Sequence, residues 1–139
     1  MTLIVDAGPL VAAFDDADPR SLIVRGLMQA ERTLIVTAFV VAEVDYLVGE
    51  RLGQTARREF LGDLAAGDYE VVCLEPADYS MVEEIEKNYA ALNLGLADAA
   101  VILMAARYGT RRLLTFDSRD FRAVRPLQGG SFELLPDDL

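Results

Sequence analysis

The chain contains no histidine among its 139 residues. This absence excludes Ser–His and Cys–His nucleophilic catalysis, histidine general bases and the usual kinds of zinc site. Any hydrolytic chemistry must therefore use carboxylates, hydroxyls, Lys or Arg side chains, or a metal held by oxygen ligands. The chain also has a single cysteine, Cys73, which cannot form an internal disulfide. One unpaired cysteine suits a reducing compartment, so we expect a cytoplasmic protein.

Membrane, secretion and nucleotide-loop signals are missing as well. No apolar run is long enough to span a bilayer, so no contact with a membrane is predicted. The N-terminus has no basic region, and Asp6 interrupts its first apolar stretch, so no secretory signal is predicted. The first apolar run is followed by Asp6, Ala7, Gly8 and Pro9. That segment is neither a dinucleotide-binding loop nor a P-loop, which removes both classes of nucleotide-binding protein.

Positive charge is scarce and unevenly distributed on a chain whose net charge is −10. Residues 1–106 carry seven basic and 18 acidic side chains, whereas residues 107–125 carry six arginines against two aspartates. Arginine suits bidentate contacts with phosphate. Within this basic segment, Arg112 and Arg119 are the candidate substrate-binding residues. The alternative is that the arginines of the segment only solvate a helix end and a loop.

Short apolar runs alternate with helical patterns along the chain, which predicts a parallel sheet covered on both faces. We expect one α/β domain over residues 1–139. The predicted strands are Thr2–Asp6, Leu34–Val36, Tyr69–Cys73 and Leu113–Phe116, with an edge strand at Ser131–Leu134. The predicted helices are 8–15, a second helix opened by Asp18 as N-cap with an apolar stripe of Leu22, Ile23, Leu27 and Met28, then 38–52, 54–66, 76–88 and 97–108.

Four acidic side chains lie in strongly apolar sequence: Asp6, Glu43, Asp98 and Asp117. Carboxylates are seldom buried unless they are paired or hold a metal. Two like charges ~4 Å apart repel by roughly 4 kcal/mol at an effective dielectric near 20. If the fold gathers these acids, the expected reason is a divalent cation, and the expected function is phosphate chemistry.

Topology brings three of the four acids to one edge of the predicted sheet. Asp6 and Asp117 follow the first and fourth strands, and ligands of parallel sheets bind beyond the carboxyl ends of the strands. Asp98 opens a helix, where the helix dipole stabilises an anion. The fourth acid, Glu43, joins them if its helix packs across that edge. Glu43 is expected to face inward, because it lies on the same stripe of its helix as four apolar residues: Phe39, Val40, Tyr46 and Leu47.

Other interpretations stay open for individual acids. Asp6 and Asp98 are also explained as helix caps, and Asp117 as part of an Asx turn. Asp45 lies close to Glu43 but on a different stripe of the same helix. Asp120 is either an accessory ligand or a solvated cap, and we favour the solvated interpretation.

Three segments resemble a known family when they are taken together. They read LIVDAGPLVA, then VVAEVDYL, then GLADAAVILMAARYGTRRLLTFDSRDF. In this order and spacing they are similar to the PIN domain, specifically to the VapC-type toxins of bacterial toxin–antitoxin pairs. The resemblance implies a three-layer α/β/α sandwich with a mainly parallel central sheet. It also implies a metal-dependent ribonuclease.

The resemblance assigns roles to particular residues. It places the acidic quartet of the family at Asp6, Glu43, Asp98 and Asp117, as catalytic groups and metal ligands, with Thr115 lining the site. Oxygen ligands select Mg²⁺ or Mn²⁺ over zinc, and either one or two ions are expected. We expect Asp6 and Asp98 to be the most direct ligands.

The implied partners are an RNA substrate, a VapB-type antitoxin and a second copy of the chain. The antitoxin would cover an apolar groove made by the helices around Val11–Phe14, Leu22–Met28 and Tyr46–Leu52. Two alternatives stay open: a non-catalytic PIN-like module that binds RNA or protein, and a metal-dependent nuclease that acts on DNA.

Overall fold

The computed structural model describes residues 1–139, and its centre is a five-stranded parallel sheet. The strands are β1 (Thr2–Val5), β2 (Thr33–Thr37), β3 (Glu70–Val72), β4 (Arg112–Leu114) and β5 (Glu133–Leu135). Their order across the sheet is β3-β2-β1-β4-β5, and every neighbouring pair is parallel. The carboxyl ends of all five strands therefore meet at one edge of the sheet.

Seven α-helices connect and cover the strands. They are α1 (Ala7–Ala13), α2 (Ser21–Gln29), α3 (Ala38–Leu52), α4 (Gln54–Ala65), α5 (Pro76–Asn88), α6 (Leu96–Arg107) and α7 (Ser118–Arg122), with a 3₁₀ turn at Ala90–Leu92. No helix combines the length and the apolarity that crossing a membrane would need.

Two apolar cores lie on opposite faces of the sheet, because successive side chains of a strand point to opposite sides. In β1, Ile4 faces a core shared with α5 and α6, whereas Leu3 and Val5 face a core shared with α1, α3 and α4. Both faces are therefore covered by helices. The predicted α/β/α sandwich with a parallel sheet is confirmed.

Helix α6 is the most deeply buried helix of the fold. Residues 99–105 are all buried, and a helix that is apolar on every side is stable only inside a protein. Asp98 lies one turn or less from the N-terminus of this helix, at the edge of the sheet where the strands end. The core thus fixes the position from which the Asp98 carboxylate projects.

The second helix differs from the prediction. It begins at Ser21, and Asp18 does not cap it, because Asp18 Oδ1 accepts from the backbone N–H of Arg20 at 2.9 Å in a turn before the helix. The apolar stripe of this helix is largely outside the core: Leu22 is 80% exposed and Ile23 is 43% exposed, whereas Ser21 and Val24 are buried.

The segment after β4 also differs from the prediction. The strand ends at Leu114 rather than at Phe116, and the five-residue helix α7, which was not predicted, follows at Ser118. This change matters for the site, because it places Asp117 at the N-cap of α7 and Asp120 within its first turn.

A candidate metal and active site

Asp6 is held rigidly at the junction of β1 and α1. Its backbone N–H donates to the Leu114 carbonyl at 2.9 Å, which continues the pairing of β1 with β4. Its Oδ1 accepts from the Ala7 N–H at 2.9 Å, and its Oδ2 accepts from the Thr115 hydroxyl at 2.9 Å. Asp6 therefore does cap α1, but the cap uses one carboxylate oxygen and leaves the other directed to Thr115.

Thr115 connects two of the acids. It is buried, and its backbone N–H donates to the Leu135 carbonyl at 2.9 Å. Its hydroxyl donates to Asp6 and accepts from the backbone N–H of Asp117 at 3.0 Å. One hydroxyl thus sets the orientation of the Asp6 carboxylate and the path of the chain into α7.

Asp98 is the acid whose ionisation is most strongly disfavoured. It is the third residue of α6, and its side chain caps nothing, so the interpretation as a plain helix cap is wrong. Burial raises the pKa of Asp98 to about 6, and the charges of the nearby acids add to this effect. In order of effect these acids are Asp6, Asp117, Asp120 and Glu43.

Three carboxylates form the tightest cluster: oxygens of Asp98, Asp117 and Asp120 all lie within 4.8 Å of one another. Burial, then the charges of Asp120 and Asp6, raise the pKa of Asp117. The expectation that Asp120 is only a solvated cap is wrong, since it is half-buried and belongs to this cluster. The signal for it was the spacing of three residues from Asp117, which places both side chains at the start of α7.

Glu43 lies at the outside of the cluster. Its side chain is exposed, and the inward stripe of α3 consists of Val40, Val44 and Val48. The predicted inward stripe is therefore right for Val40 and wrong for Tyr46, which is exposed. The charge of Glu43 nevertheless contributes to the raised pKa of Asp98, which places Glu43 within electrostatic range of that carboxylate.

Asp45, the other acid of α3 near Glu43, is used elsewhere. Its Oδ1 lies 2.7 Å from Nε of Arg57 on α4, in an ion pair that ties the two helices together. The choice of Glu43 over Asp45 as the candidate site residue therefore fits the structure.

The two candidate substrate-binding arginines lie in different places. Arg112 begins β4, at the edge of the sheet opposite the acids, and it pairs with Glu31 and with Glu133. Its position corrects the expectation that it binds substrate: it is a structural ion-pair partner. Arg119 lies on α7 beside the acid cluster, is exposed, and forms no ion pair, so it stays a candidate.

The ligand atoms that the site offers are suited to a divalent cation. The five gathered acids offer only carboxylate oxygens, which is the chemistry that Mg²⁺ and Mn²⁺ prefer. Their mutual repulsion, expressed in the raised pKa of Asp98 and of Asp117, is the energy that a cation would relieve. The residues present therefore fit a divalent metal.

Residues 3–126 match the PIN domain. The chain belongs to the PIN-domain family. It is similar to ribonuclease VapC26 of Mycobacterium tuberculosis, with 38% identity over 135 residues, which is 96% of this chain and 100% of that protein. The family predicted from the sequence is therefore confirmed.

Two solved structures share the fold at 16% identity. One is VapC20 of Mycobacterium tuberculosis, a toxin that cleaves the sarcin–ricin loop, with a TM-score of 0.77 over 87% of this chain and 94% of that one. The other is VapBC2 of Rickettsia felis bound to a DNA fragment from its promoter, with a TM-score of 0.69 over 96% and 98%. PIN nucleases generally use a divalent metal, and the acid cluster of this chain is consistent with that use.

Proposed function

We propose that this protein is a divalent-metal-dependent endoribonuclease and the toxin of a VapBC-type pair, acting in the cytoplasm. The observation that carries the proposal is the acid cluster around Asp98: its carboxylate lies within 4.8 Å of those of Asp117 and Asp120, and burial together with the neighbouring charges raises the pKa of Asp98 to about 6. The fold holds this group where its negative charge is unfavourable, which is expected of a metal ligand.

Asp6, Asp98 and Asp117 would hold the metal, with Asp120 and Glu43 completing the set. An Mg²⁺ or Mn²⁺ ion held there would supply an activated water and charge neutralisation for the hydrolysis of a phosphodiester. The side chains of the protein position the metal and the phosphate.

Thr115 fixes the positions of two of these acids. Its hydroxyl leaves Asp6 only one carboxylate orientation, and its contact with the Asp117 N–H fixes the start of α7. Glu43 is exposed and lies outside the tightest cluster, so it is placed to accept a proton from water entering the site.

In the proposed reaction, a water oxygen attacks phosphorus and a ribose oxygen leaves from the opposite side. No histidine is needed, because carboxylates and solvent exchange the protons. Arg119 lies on α7 next to Asp117 and Asp120, with no acid paired to it, so its guanidinium is available to a phosphate oxygen of the RNA.

We further propose an antitoxin as the protein partner, and a homodimer as the state of the toxin. Helices α2 and α3 both pack on α1, and they leave large apolar side chains in solvent: Leu22 is 80% exposed and Tyr46 is 65% exposed. A face of this kind suits an amphipathic helix, and a cationic side chain from the partner would neutralise the nearby acids. The solved Rickettsia felis relative is itself a VapB–VapC complex.

The test compares wild type, Asp6→Ala and Asp16→Ala on total cellular RNA with Mn²⁺. Asp16 is the matched control, because its side chain is 90% exposed and lies outside the acid cluster. Discrete cleavage by wild type and by Asp16→Ala, with none by Asp6→Ala and none in EDTA, is expected. Cleavage by Asp6→Ala, or no cleavage by any protein, would refute the assignment, and a parallel digest of single-stranded DNA tests the alternative substrate.

A further inference from the structure

An arginine outside the basic segment lies at the same edge of the sheet as the acids. The guanidinium carbon of Arg20, Cζ, lies 3.7 Å from the centroid of the Phe116 ring, in a cation–π contact. In the chain, Phe116 stands between Thr115, which orients Asp6, and Asp117, which is one of the clustered acids. The contact between Arg20 and Phe116 therefore lies beside the acid cluster.

The ring of Phe116 is held against the first turn of α1. It packs on the apolar core that covers the α1 and α3 face of the sheet. A Cβ at Gly8 would lie 3.1 Å from Cδ2 of Phe116, so the ring occupies the space that a side chain at Gly8 would need. Gly8 comes two residues after Asp6, and this contact thus places the ring close to a second acid of the site.

The guanidinium of Arg20 is held along one edge by a carboxylate. Its Nε donates to Asp18 Oδ1 at 3.1 Å, and its Nη2 donates to Asp18 Oδ2 at 3.0 Å. The backbone of Arg20 is anchored as well, because its carbonyl accepts from the Val24 N–H at 3.0 Å where α2 begins. A planar group that is fixed at one edge and over one ring is preorganised, so little side-chain entropy is lost when a ligand binds to it.

The other side of the guanidinium is open to solvent. The side chain of Arg20 is 51% exposed, and its Nη1 has no hydrogen-bond partner in the protein. The ion pair joins residues that are only two positions apart, and exposed ion pairs contribute little to stability. A flat, half-exposed guanidinium that the fold does not need for its stability is thus available to a ligand.

The charge of the ion pair favours a base over a phosphate as that ligand. Asp18 already neutralises Arg20, and its carboxylate would repel a second anion that approached the same guanidinium. Stacking needs no unpaired charge: unpaired RNA bases stack on aromatic rings and on the planes of arginine side chains. The exposed face of Arg20 therefore suits a nucleobase.

We propose that Arg20 and Phe116 form a stacking platform for one RNA base next to the scissile phosphate. The base lies on the outer face of the Arg20 guanidinium, and the inner face of the guanidinium rests on the Phe116 ring. The inference rests on the proposed ribonuclease function and adds a substrate contact to that same site. The platform positions the RNA strand and takes no part in bond cleavage.

The position of the platform allows one strand to reach it and the acids together. Consecutive Cα atoms are about 3.8 Å apart, so the backbone of Phe116 adjoins that of Asp117. The Arg20 guanidinium is one aromatic ring away from this backbone. A phosphodiester held at the acids therefore brings the base of an adjacent nucleotide to the guanidinium.

The test combines substitutions in the protein with the removal of single bases from the RNA. Arg20→Ala removes both the plane and the charge, whereas Arg20→Lys keeps the charge and removes the plane. Arg58→Ala is the matched control, because Arg58 is an exposed arginine of α4 that forms no ion pair.

The probe is a short labelled single-stranded RNA that spans a cleavage site found with the wild-type enzyme. Two further probes lack the base on one side of that site or on the other. Affinity is measured by fluorescence anisotropy with Mn²⁺ in the Asp98→Asn background, which should not cleave the probe. KM and kcat are measured with Mn²⁺ in the native background.

Arg20→Ala and Arg20→Lys should each weaken binding of the intact RNA and raise KM by about 5- to 30-fold, as expected for the loss of one stacked base, with kcat little changed. One of the two abasic RNAs should bind to the protein with Arg20 intact more weakly by a similar factor. With that RNA, Arg20→Ala should cause no further loss, because the base and the platform act as one unit. Arg58→Ala should leave the affinity, KM and kcat unchanged for every RNA.

Two results would overturn the platform while the ribonuclease stands. In the first, Arg20→Lys binds with full affinity and Arg20→Ala loses the same factor on intact and abasic RNA, which means that Arg20 contacts a phosphate. In the second, Arg20→Ala binds RNA as tightly as Arg58→Ala does, which leaves this surface to a protein partner or to the fold alone.

Failure of the proposed function gives a different result. If wild type neither cleaves nor binds RNA, the ribonuclease assignment is wrong, and the platform is wrong with it. Melting temperatures close to that of wild type are expected for both Arg20 variants, because the ion pair that they remove is exposed. They would show that a loss of affinity is not a loss of folding.

Discussion

Replacing Asp98 by Asn should make the metal-free protein more stable at pH 7.5. In the native state burial and the charges of Asp6 and Asp117 disfavour the ionised form of Asp98, so its pKa is about 6 instead of the usual 3.8. The amide has nearly the same shape, carries no charge, and breaks no cap, because Asp98 makes none. The substitution therefore removes an unfavourable charge and leaves the packing of α6 intact.

The expected gain follows from the pKa. A rise from 3.8 to about 6 corresponds to about 3 kcal/mol at ~1.4 kcal/mol per unit. The group is partly exposed, so solvent screening reduces this value. The lost attraction between the carboxylate and the N-terminus of α6 removes a further ~0.3–1 kcal/mol. The net gain is about 1–2 kcal/mol, which raises the melting temperature by roughly 3–8 °C for a domain of this size.

The raised pKa of Asp98 also fixes how its contribution to the free energy of unfolding changes with pH. Since the native pKa of Asp98 lies above its unfolded value, the native state binds the proton more tightly. This group therefore destabilises the wild type as pH rises from about 4 to about 6, and its effect is constant above that. The advantage of Asp98→Asn over wild type should be full at pH 7.5 and should disappear near pH 4.

The assay is thermal unfolding by circular dichroism in EDTA at both pH values, then with Mn²⁺ at pH 7.5. Asp63→Asn is the control, because burial and the charges of Asp68 and Glu59 raise the pKa of Asp63 at a place remote from the site. Saturating metal, at about 100 times Kd, should stabilise wild type by ~2.7 kcal/mol, so that wild type melts above Asp98→Asn. The order of the melting temperatures of wild type and Asp63→Asn should not change. If Asp98→Asn melts below wild type in EDTA at both pH values, the reasoning is refuted.

Three further predictions concern the same fold. Thr115→Val should lower the free energy of unfolding, measured by urea denaturation, by about 1–3 kcal/mol, because Asp6 loses its hydroxyl donor. RNA cleavage should fall more in Thr115→Val than in Thr115→Ser, which keeps a hydroxyl. Arg112→Gln should cost about 1–3 kcal/mol of stability, because the buried Glu31 side chain would keep only the N-terminal ammonium group, 3.8 Å away, as a partner. KM for RNA should be unchanged, and a raised KM would restore the role of Arg112 in substrate binding. Below pH 6 the affinity for Mn²⁺ should fall up to about tenfold per pH unit, since Asp98 must lose its proton to bind metal; a flat titration between pH 5 and 6 would contradict this.

The local part of the site was predictable from the sequence. Asp6 follows the apolar run of β1 and Asp98 begins the apolar helix α6, and both are strong local signals of where an element ends or starts. The parallel arrangement of the strands then brings these positions to one edge. The fold class followed from the same alternation, because the sheet needs helices on both faces to bury its strands.

The parts that were not predictable depend on contacts between distant segments or on very short elements. Helix α7 has only five residues, too few to show a helical period, so the position of Asp120 was misjudged. Helix α3 is apolar on most sides, so its sequence does not tell which face is buried, and Glu43 was expected to face inward. Arg112 was assigned to substrate because its partner Glu31, 81 residues earlier in the chain, could not be inferred from the sequence.

The fold holds the acids in fixed positions, and this has a consequence for the order in which metal and RNA bind. Asp6 is fixed by two hydrogen bonds and Asp98 by the buried helix α6, so neither can move away from the other without breaking native contacts. The metal-free cluster therefore repels a phosphate, and RNA can occupy the scissile position only when a cation is bound. The affinity for RNA should therefore be higher with Mn²⁺ than in EDTA, because the cation removes the repulsion between the acid cluster and the phosphate.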